Sequence, residues 1–129
     1  MPIDPARLAV AIPRLEREQN IWIATTRPDG RPHLVPIWFV WLDGKVWICT
    51  PRTSQKVRNL EKNDRISLAL EDGLNPVIFE GTAALRLDPP WPDTLAPLFE
   101  KKYDWDFRID NTADYILVEI TPLRMIHWS

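Results

Sequence analysis

The sequence predicts one mostly β domain, an antiparallel barrel whose sides and ends are covered by short helices. Short apolar segments, several of them alternating with polar residues, recur at close spacing along the whole chain. Strong turn sequences separate some of these segments, among them Pro28-Asp29-Gly30 and Asp43-Gly44. The 129 residues correspond to a single domain, 1–129, which is long enough to bury one core.

The first half of the chain predicts a helix followed by three strands. Apolar residues at helical spacing predict a helix over 5–20, and Pro13 is expected to divide it into two short pieces. Apolar segments then predict strands over residues 21–26, 33–42 and 45–50. Pro36 lies inside the second of these strands. Because proline has no N–H for a strand ladder, we expect a bulge or an unpaired stretch there.

The second half predicts two more helices and four more strands. The helices are predicted over residues 54–63 and 94–102. The strands are predicted over residues 65–71, 76–87, 115–121 and 123–128. Pro122 is expected to divide the last two strands. Gly81 lies inside the strand over 76–87, so we expect a bulge or the close approach of another group at that position.

Charge and composition argue against several classes of function. The formal net charge of −2 gives no electrostatic footprint for nucleic acid or an anionic membrane, so neither partner is expected. A barrel that stacks single-stranded nucleic acid on its tryptophans is a disfavoured alternative. Cys49 is the only cysteine, and His33 and His127 are the only histidines. A Cys/His metal site therefore lacks ligands, and no metal is expected. No glycine-rich loop of the Rossmann or Walker type occurs.

The single cysteine also excludes an intrachain disulfide, which fits a reducing compartment. The N-terminus lacks the basic start and apolar run of a secretion signal, and the longest apolar run, 34–42, is too short to cross a bilayer as a helix. We therefore expect a cytoplasmic protein. Seven tryptophans in so short a chain predict a ligand pocket, a subunit interface or a filled barrel core, and the sequence leaves these alternatives open.

Positive charge collects where the helix over 54–63 begins. Arg52, Lys56 and Arg58 lie in or beside its first turn, against the preference of the helix dipole for acidic residues. No glutamate occupies the capping-box position that would compete for the free N–H groups. A phosphate bound to these groups would explain the pattern. The alternative is a helix whose basic side chains only face solvent.

The strand over 33–42 is almost uniformly apolar and is interrupted by proline. Such a wall suits the faces of a planar heteroaromatic ring, and unpaired backbone groups suit the heteroatoms at its edge. A buried central strand is the alternative. The sequence contains no recognisable nucleophile, acid or base constellation, and we therefore name no catalytic residue.

Motifs along most of the chain, from Ile21 to Trp128, occur in a specific order and spacing. In chain order they are Ile23-Ala24-Thr25-Thr26, Pro28-Asp29-Gly30-Arg31-Pro32-His33, Val35-Pro36-Ile37-Trp38-Phe39, Thr50 with Ser54-Gln55-Lys56, Asn59-Leu60, Asn63-Asp64-Arg65-Ile66-Ser67-Leu68, Glu80-Gly81-Thr82-Ala83 and a final strand ending in Trp128. Together they resemble the pyridoxamine 5′-phosphate oxidase-like flavin-binding family. The resemblance implies an antiparallel split β-barrel of the FMN-binding type. It also implies a homodimer with FMN, or a related deazaflavin, at the subunit interface.

The resemblance further implies a set of cofactor-binding residues. The segment along the isoalloxazine ring would be Val35, Pro36, Ile37 and Trp38. The residues that match the family's phosphate-binding element are Thr50, Ser54, Gln55 and Lys56. Arg52 is added because of the charge pattern, and Trp128 would approach the ring from the partner subunit.

Three departures from the family pattern bear on the reaction. Val35 and Val40 stand where the pyridoxamine phosphate oxidases carry basic residues, and Gln55 replaces an arginine. The chain also stops at Ser129, without the C-terminal segment that completes the vitamin substrate site. Pyridoxamine phosphate oxidation is therefore not expected.

The chain is more similar to short members of the family that reduce varied small molecules. We predict an oxidoreductase that uses FMN to transfer a hydride or electrons to a small-molecule substrate. One alternative is a reductase that depends on the deazaflavin coenzyme factor 420. Another is a non-enzymatic flavin- or haem-binding protein, for which His33 is the candidate haem residue.

Overall fold

The computed structural model of the chain describes residues 3–86 and 89–126. The helices in this part are α1 (Pro5–Arg17), α2 (Gln55–Lys62) and α3 (Leu95–Tyr103). The strands are β1 (Ile21–Thr26), β2 (Pro32–Ile37), β3 (Val40–Leu42), β4 (Lys45–Pro51), β5 (Arg65–Leu70), β6 (Ile78–Arg86) and β7 (Tyr115–Met125). None of these helices combines the length and apolarity that crossing a membrane requires.

The strands form one seven-stranded antiparallel sheet in the order β2-β1-β5-β6-β7-β4-β3. Its two edge strands, β2 and β3, are joined by only Trp38 and Phe39. Because two residues span a short distance, the sheet must curl until its edges approach each other at this corner. The mostly β antiparallel barrel that the sequence predicts is therefore confirmed.

The chain buries two apolar cores. The first fills the inside of the curled sheet and includes Leu15 of α1, Ile23, Ile48, Phe79 and Val118. The second lies outside the sheet, where α3 covers β3, β4 and β7, and includes Val40, Trp47, Leu95, Phe99 and Leu117. Strand β4 is therefore apolar on both faces, which explains its run of consecutive buried residues. Trp47 belongs to a core rather than to a pocket.

Two predictions about prolines are wrong. Helix α1 continues through Pro13. The proline is exposed, so the carbonyl that loses its donor can bond to water, while Ala11 and Leu15 on either side are buried and hold the helix to the core. Pro36 causes no bulge, because β2 pairs with β1 in unbroken register. As β2 is an edge strand, a missing N–H is tolerated there.

The strand predicted over 33–42 is in fact two strands, separated at Trp38 and Phe39. Side chains of α3 satisfy the backbone at this break. Phe39 N–H donates to Tyr103 Oη at 2.9 Å, and Phe39 O accepts from Lys102 Nζ at 2.9 Å. The Tyr103 hydroxyl also lies 2.7 Å from Gln19 O, to which it donates. These partners are distant in sequence, so local patterns do not reveal the break.

The two strands predicted on either side of Pro122 form one strand, β7. Opposite Pro122, the pairing of β6 with β7 shifts register between Glu80 and Gly81. A Cβ atom on Gly81 would collide with the carbonyl group of Thr121. The predicted irregularity and close approach at Gly81 are thus confirmed, and the irregularity lets the sheet accommodate the proline.

Candidate functional site

Helix α2 lies against one end of the curled sheet. Val57 and Leu60 on its inner side belong to the core inside the sheet. The buried Asn59 side chain donates from Nδ2 to Thr25 Oγ1 of β1 at 2.9 Å. At the other end of the helix, the buried Thr50 hydroxyl of β4 donates to Ser54 Oγ at 3.4 Å. The start of α2 is therefore held in a fixed position between β4 and the hairpin of β1 and β2.

The N-terminus of α2 is uncapped. Ser54 occupies the N-cap position, but its side chain makes no capping hydrogen bond, and the first turn contains no acidic residue. Within the described residues, the backbone N–H groups of Gln55, Lys56 and Val57 have no hydrogen-bond acceptor. These groups and the helix dipole give the corner a positive potential suited to an anion.

Two of the three basic residues predicted at this corner have partners inside the chain. Arg52 Nε lies 2.9 Å from Asp114 Oδ2 in an ion pair. Arg58 donates to Thr53 O at 3.2 Å and to Gln55 Oε1 at 2.9 Å. A contact between Arg52 and a phosphate, as the sequence predicts, would therefore compete with the pairing to Asp114.

Lys56 differs from these two arginines. Its side chain is half-buried, and within the described chain it forms no hydrogen bond and no ion pair. Burial lowers the pKa of the Lys56 ammonium, because a cation without a partner loses hydration. An anion at the start of α2 would supply the missing partner.

His33 and Arg27 extend this positive region. His33 of β2 lies opposite Thr25 of β1 in the sheet register, so both side chains share the face that α2 covers. The Nδ1 atom of His33 is shielded from solvent and has no hydrogen-bond partner in residues 3–86 and 89–126. Burial lowers the pKa of His33, and the positive charges of Arg27 and Lys56 lower it further. We call Arg27, His33, Lys56 and the first amides of α2 the basic corner.

Arg27 is not among the predicted site residues, and His33 was predicted as a candidate haem residue and not as a phosphate ligand. Their position follows from the hairpin Pro28-Asp29-Gly30, which brings the end of β1 beside the start of β2. The pairing of Thr25 with His33 could have been derived from that turn. The proximity of both residues to α2 could not.

The predicted ring wall divides between the two faces of β2. Val35 and Ile37 pack against the core inside the sheet. Leu34 and Pro36 face outward, because side chains alternate along a strand, and Trp38, which directly follows β2, is also exposed. The Trp38 ring is 45% exposed and stacks on Tyr103 with centroids 4.5 Å apart. Only the outward residues and the backbone can contact a ligand outside the sheet, and Leu34, which was not among the predicted cofactor-binding residues, belongs to this outward set.

A groove of about 530 Å³ lies on the outer face of the sheet beside β2. Its walls include Ala24, Thr26, Pro32, Ser67 and Gly81. Leu34 pairs with Ala24 across the two strands and therefore lies on the same face as this groove. The small side chains along its floor leave room for a flat ligand or for another polypeptide.

Other reactive groups do not form a site. Burial raises the pKa of the Cys49 thiol to about 12, with a smaller contribution from Asp110, so the thiol is protonated at neutral pH. Among residues 3–86 and 89–126, no three His, Cys, Asp or Glu side chains come together as a metal site.

A sequence model for pyridoxamine 5′-phosphate oxidase matches residues 11–129. The chain belongs to this family. The match includes every motif on which the predicted resemblance was based, and that prediction is confirmed. No curated protein matches the sequence.

Solved structures with this fold come from proteins of different description. An F420 reductase is 23% identical, with a TM-score of 0.68 over 87% of this chain and 92% of the other. A conserved hypothetical protein from Mycobacterium tuberculosis is 25% identical, with a TM-score of 0.65 over 98% and 91%. The haem storage protein HutZ from Vibrio cholerae is 17% identical, with a TM-score of 0.67 over 95% and 91%. These similarities confirm the split β-barrel fold.

Proposed function

We propose that the chain binds a phosphorylated flavin-type cofactor, with FMN as the first candidate and the deazaflavin factor 420 as the second. The observation that carries the proposal is Lys56, a half-buried ammonium at the uncapped start of α2 that has no counter-ion among the residues the structure describes. Burying an unpaired cation costs free energy, and a bound phosphate would offset that cost. Membership of a flavin-binding family and the fold shared with an F420 reductase support the same class of ligand.

The residues of the basic corner fit a phosphate group. Lys56 would supply charge, and the free amides of α2 would supply directed hydrogen bonds. The Thr50 and Ser54 hydroxyls also lie at the start of α2. The Gln55 side chain is bonded to Asn59 and Arg58 within α2, so its contribution would come from its backbone N–H.

The outer side of β2 suits the ring of such a cofactor. Leu34, Pro36 and Trp38 offer apolar contacts on that side, and Trp38 is held in place by its stacking on Tyr103. A bound flavin or deazaflavin supplies the capacity for hydride or electron transfer. The side chains of this protein then bind and orient the cofactor, and none of them has to act as an acid, a base or a nucleophile.

The positions that depart from the pyridoxamine phosphate oxidases support a different substrate. Val40 is buried in the core beneath α3, and Val35 packs against the core inside the sheet. Neither residue is placed to bind a substrate phosphate. We therefore propose an oxidoreductase that acts on another small molecule.

We also propose that the chain acts as a homodimer with the cofactor at the interface. A second copy could cover the exposed apolar side chain of Leu34 and the groove beside it, whose lining mixes apolar residues with polar and charged ones such as Arg65 and Glu80. The predicted contact of Trp128 with the partner's cofactor concerns a residue outside the described part of the chain. The cytoplasmic location also stays a prediction.

The site can be tested by comparing Lys56→Glu with Lys62→Glu. Both variants make the same charge change on α2, at its first turn and at its last residue. We expect Lys56→Glu to lose FMN binding because it adds repulsion where the phosphate lies, and we expect Lys62→Glu to keep it. FMN stoichiometry after dialysis measures the effect, and circular dichroism checks the fold of each variant.

Normal FMN stoichiometry in a folded Lys56→Glu protein would contradict the proposed site. Mass spectrometry of the small molecule released by denaturing the purified wild-type protein identifies the ring system. The absorbance spectrum before denaturation distinguishes flavin from haem, since haem gives a Soret band. A haem as the released molecule would contradict the proposed cofactor class.

A further inference from the structure

We propose that His33 is a neutral hydrogen-bond donor to the phosphate group, held in the tautomer that carries its proton on Nε2. This inference rests on the proposed function, because it concerns a further ligand of the same anion. It assigns His33 a role that neither its charge nor its place in the sequence predicts.

The surroundings of the two ring nitrogens select the tautomer. Nδ1 is shielded from solvent and has no acceptor, so a proton on it would be a buried donor without a partner. Nε2 also lacks a partner among the described residues, but unlike Nδ1 it is not fully shielded from solvent. The lone pair is therefore best placed on Nδ1 and the proton on Nε2. An Nε2–H group at the basic corner is a donor that a phosphate oxygen can accept.

The charges that face His33 disfavour its doubly protonated form. From the hairpin the charge that acts on the ring is that of Arg27, whereas Asp29 and Arg31 pair with each other at 2.8 Å. From α2 the charge that acts on the ring is that of Lys56. Burial, Arg27 and Lys56 all lower the pKa of His33, and no carboxylate raises it. The imidazole is therefore neutral at neutral pH.

A neutral donor and a cationic donor predict different pH profiles for cofactor binding. An imidazolium would lose affinity for a phosphate dianion as pH rises through its pKa, because its charge and one N–H would disappear. A neutral Nε2–H group is unchanged over that range. The phosphate itself is doubly ionised above about pH 6, so its charge stays constant from about pH 7 to about pH 8.5. The pKa of Lys56 is also lowered, and the His33 variants retain Lys56, so the comparison with wild type separates the contribution of the histidine.

The experiment measures FMN affinity of the purified protein over this pH range for wild type, His33→Gln and His33→Ala. A glutamine amide can place a donor near the position of Nε2 without titrating. We expect a flat pH profile for wild type, near-normal affinity for His33→Gln, and a loss of roughly tenfold or more for His33→Ala. His127→Gln is the matched control, since it removes the other histidine.

Nitrogen NMR of the FMN-bound protein provides a readout that does not depend on affinity. With His127→Gln as background, one histidine remains, and we expect its ring signals to show the Nε2–H tautomer throughout the range. Wild-type affinity for His33→Ala, or an imidazolium signal in the complex, would overturn the inference while the proposed cofactor stands. Failure of wild type to bind either FMN or factor 420 would instead overturn the proposed function, and this inference with it.

Discussion

At the scale of single residues, the candidate site depends on which polar groups already have partners. Asn59 and Gln55 form a chain of hydrogen bonds within α2 that ends on the buried Thr25 hydroxyl of β1. These bonds fix the helix but leave its first amides free. Lys56 and His33, in contrast, have no polar partner in the described chain. We therefore expect the ligand beside Lys56 and His33, whose polar groups are free to bind it, and not beside Gln55, whose side chain is already hydrogen-bonded.

Gly81 provides a test of the fold at this scale. Gly81→Ala would place a methyl group against the Thr121 carbonyl, so β6 and β7 would have to separate. We expect a loss of about 1–3 kcal/mol in the free energy of unfolding, measured by urea denaturation. Gly73→Ala is the control, because a Cβ atom at Gly73 meets no other atom within 4 Å. Equal stability of the two variants would contradict the close approach.

At the scale of elements, the end of α3 joins the two edges of the sheet. Lys102 Nζ donates to Phe39 O at 2.9 Å and to Leu15 O at 3.3 Å, and it lies 3.8 Å above the Phe39 ring. It therefore connects α3, α1 and the break between β2 and β3. The same helix supplies Tyr103, on which Trp38 stacks. The orientation of the proposed ring-binding surface thus depends on α3.

The buried position of Lys102 predicts a pH dependence of stability. Burial lowers its pKa from the ordinary 10.5 to about 8 in the folded state. Between these two pH values the unfolded chain binds more protons than the folded one, so this residue makes stability rise with pH. Below about pH 8 the ammonium is charged in both states, and the folded state carries the full cost of burying it.

We therefore expect Lys102→Met to remove this rise. Urea denaturation at several values between about pH 7 and about pH 10 gives the unfolding free energy of wild type and variant. The difference between the two should change in favour of wild type as pH increases. Lys101→Met is the matched control, because Lys101 is exposed on the same helix. A difference that stays constant with pH for Lys102→Met would contradict the lowered pKa.

At the scale of the whole molecule, apolar residues remain exposed on the outer face of the sheet. Leu34 is 60% exposed, Leu123 is 51% exposed, and Leu123 lines the groove beside β2. Trp38 adds a partly exposed ring at the end of the same strand. Exposed apolar surface that adjoins a groove is typical of an interface between subunits. This surface connects the proposed cofactor site with the proposed dimer.

Leu34→Glu tests that connection. A carboxylate within the proposed interface would lose its hydration on dimer formation, so we expect the variant to be monomeric and to bind FMN weakly. Size-exclusion chromatography with light scattering measures the mass, and FMN titration measures the binding. Leu74→Glu is the control, since Leu74 is 88% exposed in the segment between β5 and β6. A Leu34→Glu protein that remains dimeric would contradict this interface.

Local patterns in the sequence were sufficient for most of the elements. The bounds of β1 are as predicted, and those of α2 and β5 differ by one residue or less at each end. The turn at Asp43 and Gly44 was predicted because both residues tolerate a positive φ, and their φ angles are 52° and 77°. Such features depend on residues close in sequence. The confirmed fold follows from their order.

The barrel fold, the family and the concentration of positive charge at the start of α2 could all be predicted from the order of the residues. Which of those charges lack partners depends on contacts that form when the chain folds. Arg52 is paired with Asp114, which lies beyond α3, whereas Lys56 has no such partner in the described chain. The positive charge of Lys56 acts on His33 because the sheet register and the docking of α2 bring the two side chains together. Charge is a property of each residue, but pairing and burial depend on neighbours that are distant in sequence.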